Sequence, residues 1–538
     1  MLAAGRERTQ GGVTVATLPV MFSSVRLATA AAFAAATVLL PSAAFAQDDT
    51  DAGSEQPALT VMARNLYLGA DYVVALEQLP DVAAAAQYMW DQVADTNFDV
   101  RAEELAAEIE RYSPDVVGLQ EATVWGCRTG LFGGVTPVFD FTEGLIDALA
   151  AKGLEYVVAE ADGVVADNPG QEIPAVPFLT TVTDPENFEP IFDRDSAYCG
   201  YYIGDALLVR ADLADDVLTV GNTEFDERAP IVPVVFTVSR GYTWADIAFG
   251  GTTVRVVTAH LEAYVNEDGP PSGAVQAEQL VDDLAETTVP LIVMGDFNAD
   301  PRDPRAPDAP NPGDQPVAND ACAAQPENPT LKTANVECNA FWVMLDAGYE
   351  HAGPDPFDRA YDTWGAASNL AGPDPERLEV AIERGNDAGF TDRLDHIFVA
   401  NGAVVVSSEV FGNEWPEGDD LWECTADDQV ATTEESSAIL ADAGVGEPVT
   451  GSGLCLPTDH AGTVAVVDVS AGPSGVVEDP APPPHDSFTI SLLGWLAIIV
   501  GVLLLLVVLL VVGIVVLVRR SRRRRRERAA QAEVTPTG

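Results

Sequence analysis

Short apolar runs that end on a polar residue recur along this chain, and they set its predicted elements. Residues 59–68 (LTVMARNLYL) read as a first strand, with Asn65 near its C-terminal end. In 101–112 (RAEELAAEIERY), Leu105, Ala106 and Ile109 fall on one helical face with charges opposite. Ser113-Pro114 stops that helix. Residues 115–121 then form a second buried strand ending in the carboxylate of Glu121. Further helices are predicted around 81–93, 144–152 and 274–286. Further strands are predicted at 154–159, 204–210, 231–238, 253–258, 394–399, 404–410 and 463–469.

The clearest run is 291–298 (LIVMGDFN), introduced by Pro290. Four apolar residues in a row suit a strand buried on both faces. Alternation along a strand places residues i and i+2 on one side, so Asp296 and Asn298 are expected to face one point. A carboxylate and an amide aimed at one point suit a hard cation or a phosphoryl oxygen, although read alone Asp-x-Asn after a strand is equally well a simple turn. Segments 162–198 and 300–330 are rich in Asp and Pro, and 412–456 is acidic and bounded by cysteines; all three read as insertions. The stretch 300–330 is expected to be a surface loop.

The chain ends carry other signals. Residues 1–46 read as an N-terminal extension plus a secretory signal: Arg26, an apolar stretch over 27–40, then Ala44-Phe45-Ala46 before an acidic leader, 47–58. Residues 471–486 are a Pro-rich stalk. Within 487–518, the 27 residues 492–518 carry no charge, enough to span a bilayer. The tail 519–538 opens with eight arginines and one glutamate by residue 528, which predicts a cytoplasmic C-terminus and an extracellular main domain.

The formal charge is −56, and it becomes −64 for residues 47–486 once the tail (+6) and residues 1–46 (+2) are set aside. A surface this acidic repels nucleic acid and anionic lipid at low salt. A high-salt habitat accounts for it better than codon usage, which explains two lysines but not the excess of Asp and Glu. Six cysteines in an exported chain suggest disulfides, and no C-x-x-C pair suggests zinc. Sequence order favours Cys127–Cys199, Cys322–Cys338 and Cys424–Cys455 among fifteen connectivities.

Acids and histidines of catalytic type sit at the strand ends in a fixed order. They are N-L-Y (Asn65), L-Q-E (Glu121), T-A-H-L (His260), G-D-F-N (Asp296, Asn298), R-L-D-H-I-F (Asp395, His396) and T-D-H (Asp459, His460). That order resembles the endonuclease/exonuclease/phosphatase superfamily, DNase I-like, over residues 59–470. The resemblance implies a four-layer α/β sandwich, two packed mixed sheets flanked by helices, to which the C-terminal transmembrane helix is added. It implies a phosphoric ester hydrolase using Mg²⁺ or Mn²⁺ on a nucleic acid, a phospholipid or a small phosphate ester. No protein partner is evident. The resemblance assigns metal binding to Glu121, with Asn65 and Asp459 beside it. His460 would be the general base, oriented by Asp395; Asp296 and Asn298 would position water and phosphoryl oxygens; His260 would donate to a phosphate oxygen. His396 reads as a structural neighbour. Tyr67 stands where many nuclease members carry an acid. A non-catalytic surface binding module is the competing reading.

Overall fold

A computed structural model describes residues 58–470, apart from 71–74, 77, 129–133, 177–179, 184–195, 233–235, 265–268, 307–316, 366–374, 387, 415–422, 425–452 and 455. In chain order the elements that place the site are β1 (Ala58–Asn65), α1 (Val82–Asp95), α2 (Phe98–Tyr112), β2 (Val116–Arg128), α3 (Phe141–Ala151), β3 (Tyr156–Val158), β4 (Asp167–Ile173) and β5 (Ala197–Arg210). They continue with β6 (Val217–Glu224), β7 (Gly241–Phe249), β8 (Thr252–His260), α4 (Ser272–Leu284), β9 (Leu291–Asp296), α5 (Ala340–Asp346), β10 (Glu350–His351), α6 (Pro375–Glu383), β11 (Asp395–Ala400), β12 (Val404–Phe411) and β13 (Gly462–Asp468).

Two mixed sheets result. The first runs β12-β13-β1-β2-β5-β3, with β4 also paired to β5; the second runs β6-β7-β8-β9-β11-β10. Only β1–β2 and β8–β9 are parallel among these neighbours. Every residue of β8 and β9 is buried, as central strands covered on both faces are. One core lies between the sheets, where Val61, Ala63 and Leu207 meet Val254, Val256 and Ile292. A second packs the first sheet under α1, α2 and α3 through Trp90, Leu105, Ile109 and Leu145. A third packs the second sheet against α4 and α5 through Leu280, Leu284, Phe341 and Trp342. The order is therefore helices, sheet, sheet, helices. Side-chain caps start the helices: Asp81 accepts from Ala84 N–H for α1, and Asp140 from Glu143 N–H for α3.

Several expectations need correction. The strand at 115–121 does not end at Glu121 but continues to Arg128, because a bulge lets pairing with β5 resume. The run 231–238 is a hairpin, Ala229–Val232 with Phe236–Val238, since Pro233 breaks the apolar run. Strand β7 escaped the periodicity reading because Thr243 and Asp246 interrupt its apolar pattern, although both are buried, and β6 because Thr219, Gly221 and Asn222 break its own. Part of the insertion 162–198 is strand β4, held by pairing with β5. The segment 300–330 is not simply surface: Asp300, Asp303, Arg305 and Cys322 are buried. Arg302 and Arg305 pair there with Asp300, Asp303, Asp362 and Asp392, which offsets part of the cost of burying these charges.

Cys127–Cys199 and Cys322–Cys338 are disulfides. The third expected pair, Cys424–Cys455, involves Cys455, which lies outside the described residues. The leader, stalk, span and tail, 1–57 and 471–538, also lie outside them. No described helix is long and apolar enough to cross a membrane.

Candidate active site

Strand register assembles the site. At the end of the second sheet His260 of β8 pairs with Asp296 of β9, and Asp296 pairs with Asp395 of β11. Neighbours in register lie on the same face, so these three side chains form one row. The first sheet supplies the other half: Asn65 closes β1, Glu121 sits on β2, and Asp459-His460 lead into β13. Below the row the sheets approach closely. A Cβ on Gly118 would lie 2.7 Å from Thr258 Oγ1, and Gln120 Nε2 donates to that hydroxyl at 2.7 Å.

The loop carrying His460 is tied from both sides. Arg101, wholly buried, donates to the carbonyls of Leu66 (2.7 Å) and Pro457 (3.0 Å). Arg64 donates to the His460 carbonyl while pairing with both oxygens of Glu108 at 2.8 and 2.9 Å. A strap, 363–365, crosses between the sheets. Thr363 Oγ1 accepts from the backbone N–H of both Leu394 and Asp395 at 3.0 Å. The Thr363 carbonyl accepts from Ala461 N–H, and Gly365 N–H donates to the Asp459 carbonyl. Trp364 Nε1 donates to Asp459 Oδ2 at 3.2 Å.

The central contacts follow. His460 Nδ1 lies 2.9 Å from Asp395 Oδ2, and its Nε2 lies 3.5 Å from Asp296 Oδ2. His260 Nε2 is 3.6 Å from the same Asp296 oxygen. Asn65 Nδ2 donates to Asp296 Oδ2 at 3.1 Å and sits 3.3 Å from His460 Nε2. Its Oδ1 accepts from Tyr67 N–H at 2.9 Å, so Asn65 presents a donor to the site. The same-side argument for Asp296 and Asn298 fails in detail, because β9 ends at Asp296 and Asn298 turns into the left-handed region (φ +46°). Its N–H caps Asp296 Oδ1 at 2.9 Å and its Nδ2 donates to the Leu261 carbonyl at 2.9 Å. Asn298 thus orients Asp296.

Glu121 occupies a bulge: Gln120 and Glu121 together oppose Asp205 of β5, and Glu121 has φ +54°. Its Oε2 accepts from Leu68 N–H. Burial and then the charge of Asp459 push Glu121 above its ordinary range; burial does the same to Asp459. Burial raises Asp296 to about 7. Burial disfavours a charge on His460, but Asp395, Asp296 and Asp459 outweigh it and raise its pKa to about 10. His260 goes the other way, held well below its usual range by burial and Arg240. His396 lies outside this group. It contacts His351 (3.3 Å) and the carbonyls of Ala299 (3.0 Å) and Arg393 (3.1 Å).

The donor set fits a hard divalent cation. Among the described residues, Asp296, Asp395 and His460 offer ligand atoms all within 4.8 Å of one another. Asp395 Oδ1 and Asp205 Oδ1 are buried carboxylate oxygens without a hydrogen-bond partner among the described residues. The charge of Asp459 adds to the burden of buried negative charge on Glu121, which a cation would relieve. Sequence reasoning missed Arg240, Asp205, Thr363 and Trp364. None stands at the end of an apolar run in a recognisable motif.

The family model described as Endonuclease/Exonuclease/phosphatase family matches residues 94–460. Among solved structures, a mannosyl-6-phosphatase from Bacteroides thetaiotaomicron VPI-5482 is 15% identical, covering 76% of this chain and 99% of its own, with TM-score 0.36. An endonuclease/exonuclease/phosphatase from Beutenbergia cavernae DSM 12333 is 14% identical over 78% of this chain and 74% of its own, TM-score 0.38. D. rerio TDP2 complexed with single strand DNA product is 15% identical over 76% and 98%, TM-score 0.35. A search of curated proteins returns no match.

Proposed function

The chain belongs to the endonuclease/exonuclease/phosphatase family, and on that premise we propose that it is a divalent-metal-dependent phosphoester hydrolase using a histidine-activated water. The observation that carries this reading is the buried His460–Asp395 contact of 2.9 Å, with Asp296 3.5 Å from the far ring nitrogen.

Asp395 accepts from His460 Nδ1–H and leaves Nε2 to take the proton of an attacking water. Asp296, fixed by Asn65 and Asn298, orients that water. His260 donates from Nε2 to a phosphoryl oxygen in line with the attack. Glu121 and Asp459 would hold Mg²⁺ or Mn²⁺, which would neutralise charge on the phosphoryl group and offset the carboxylates that keep His460 protonated. Asn65 serves this site from outside, through Asp296.

The protein is read as exported and anchored by 487–518, with the hydrolase domain outside the membrane, on sequence alone. The charge of −64 disfavours a nucleic-acid substrate at low salt, where its many phosphates are repelled most strongly. The test is turnover of bis-p-nitrophenyl phosphate and p-nitrophenyl phosphate with Mg²⁺ or Mn²⁺ against EDTA, at low and high salt. Metal-dependent turnover is expected. Turnover that survives EDTA, or none on any phosphoester, would overturn the reading.

A further inference from the structure

Arg240 lies one residue before β7, whose Gly241 pairs with His260 at the end of β8. That register brings a guanidinium behind the imidazole. Arg240 Nη1 lies 3.2 Å from His260 Nδ1, and Arg240 Nε lies 3.4 Å from Glu262 Oε2. Arg240, His260 and Glu262 are all buried.

A guanidinium has five N–H donors and no acceptor. At this separation His260 Nδ1 must accept; a proton there would set two donors against each other without water to relieve them. His460 has the opposite backing. Its Nδ1 faces the Asp395 carboxylate, which accepts, so the Nδ1 proton is retained and the neutral ring has its lone pair on Nε2.

We infer that Arg240 is a positioning residue that locks His260 as the neutral Nε2–H tautomer, making it a fixed hydrogen-bond donor to the phosphoryl group and barring it from acting as a base. The donor is left for substrate: at 3.6 Å, His260 Nε2 is too far from Asp296 Oδ2 for a good hydrogen bond. Two histidines flanking one aspartate are thereby given opposite tasks by what stands behind them, a carboxylate for the base and a guanidinium for the donor. The use of that donor rests on the hydrolase reading; the tautomer does not.

The test reads the ring nitrogens directly. The full chain is labelled with ¹⁵N-histidine, and the His260 signals are assigned by their loss in His260→Gln. In the unliganded protein, Nε2 is expected to be protonated and Nδ1 bare. Arg240→Lys, which still offers only donors, keeps that pattern. Arg240→Met releases it, so an Nδ1–H population appears. In the same variant kcat falls by about tenfold or more, with a smaller change in KM, as expected when a donor is no longer presented to the transition state. A wild-type ring protonated on Nδ1, or Arg240→Met with unchanged ring and kcat, would overturn the inference. Should Arg240→Met fail to fold, the wild-type and Arg240→Lys spectra still decide. A protein that turned over no phosphoester would remove the hydrolase reading and leave the tautomer result standing by itself.

Discussion

At the level of single residues, the site is a set of groups each fixed by one backbone decision. Gly295 shows this best. Its φ is +140°, and a Cβ there would lie 2.0 Å from the Ala259 carbonyl oxygen, so only glycine lets β9 deliver Asp296 beside His260. Gly295→Ala is expected to cost about 2 kcal/mol in chemical denaturation and to remove most activity. His460→Ala is expected to abolish turnover with the fold retained, and Asp395→Asn to lower kcat by about 10²-fold or more. Full activity in His460→Ala would mean the base is elsewhere. A pH dependence follows from the same ring. His460 is raised from 6.5 to about 10, so its ion pairing stabilises the metal-free fold fully below pH 6.5 and is lost as pH climbs towards 10. Asp296, at about 7, titrates at the foot of that window. The stability advantage of wild type over His460→Gln in EDTA is expected to shrink between pH 7 and 10. A constant difference would contradict this placement of charge.

Elements do what single residues cannot: they bring the two sheets' offerings to one point. The strap 363–365 is the clearest case. Thr363 Oγ1 satisfies two backbone donors at the start of β11, and its carbonyl holds the start of β13. Thr363→Val would leave both donors unmet, at a cost of about 2 kcal/mol, and would loosen Asp395 from His460. Loss of stability together with a larger fall in kcat than in KM is the expected signature; stability loss with unaltered kcat would confine the strap to folding. The Cys127–Cys199 bridge works at the same level, joining residues directly paired between β2 and β5. Replacing both by alanine is expected to lower stability by about 2–4 kcal/mol.

Among the described residues, two sheets and the apolar cores on and between them form a frame, and the strand ends around Asp296 are rich in buried carboxylates. Metal binding there is expected to raise the midpoint of thermal unfolding, by an amount that grows with ion concentration. Glu121→Gln should weaken that rise. How much of this was legible beforehand divides along physical lines. Asn65, His260, Asp296, Asp395 and His460 were legible because each follows or opens an apolar run, and sheet order then gathers run ends. The hydrophobic pattern also gave most strands. What it could not give was anything set by pairing across the chain. The Glu121 bulge depends on register with β5. Arg240 matters because Gly241 pairs with His260. Thr363 and Trp364 sit in a stretch with no periodicity, and their meaning comes from crossing between sheets. The charges at Asp300, Asp303 and Arg305 looked like loop residues because they pair with one another locally, and the contact of Arg305 with Asp392 is not visible from their own stretch.

The pairing of β1 with β13 also fixes how this molecule can be held. Ala58 faces Asp468 at one end of that ladder, while Asn65 and the lead into Gly462 stand at the other. Both chain exits therefore leave from one pole, about 23 Å along the strand from the catalytic row at roughly 3.3 Å per residue. A tether at either end grips the domain by its far side. A fusion or surface immobilisation through either of these strand ends would attach at the pole opposite the residues gathered around Asp296.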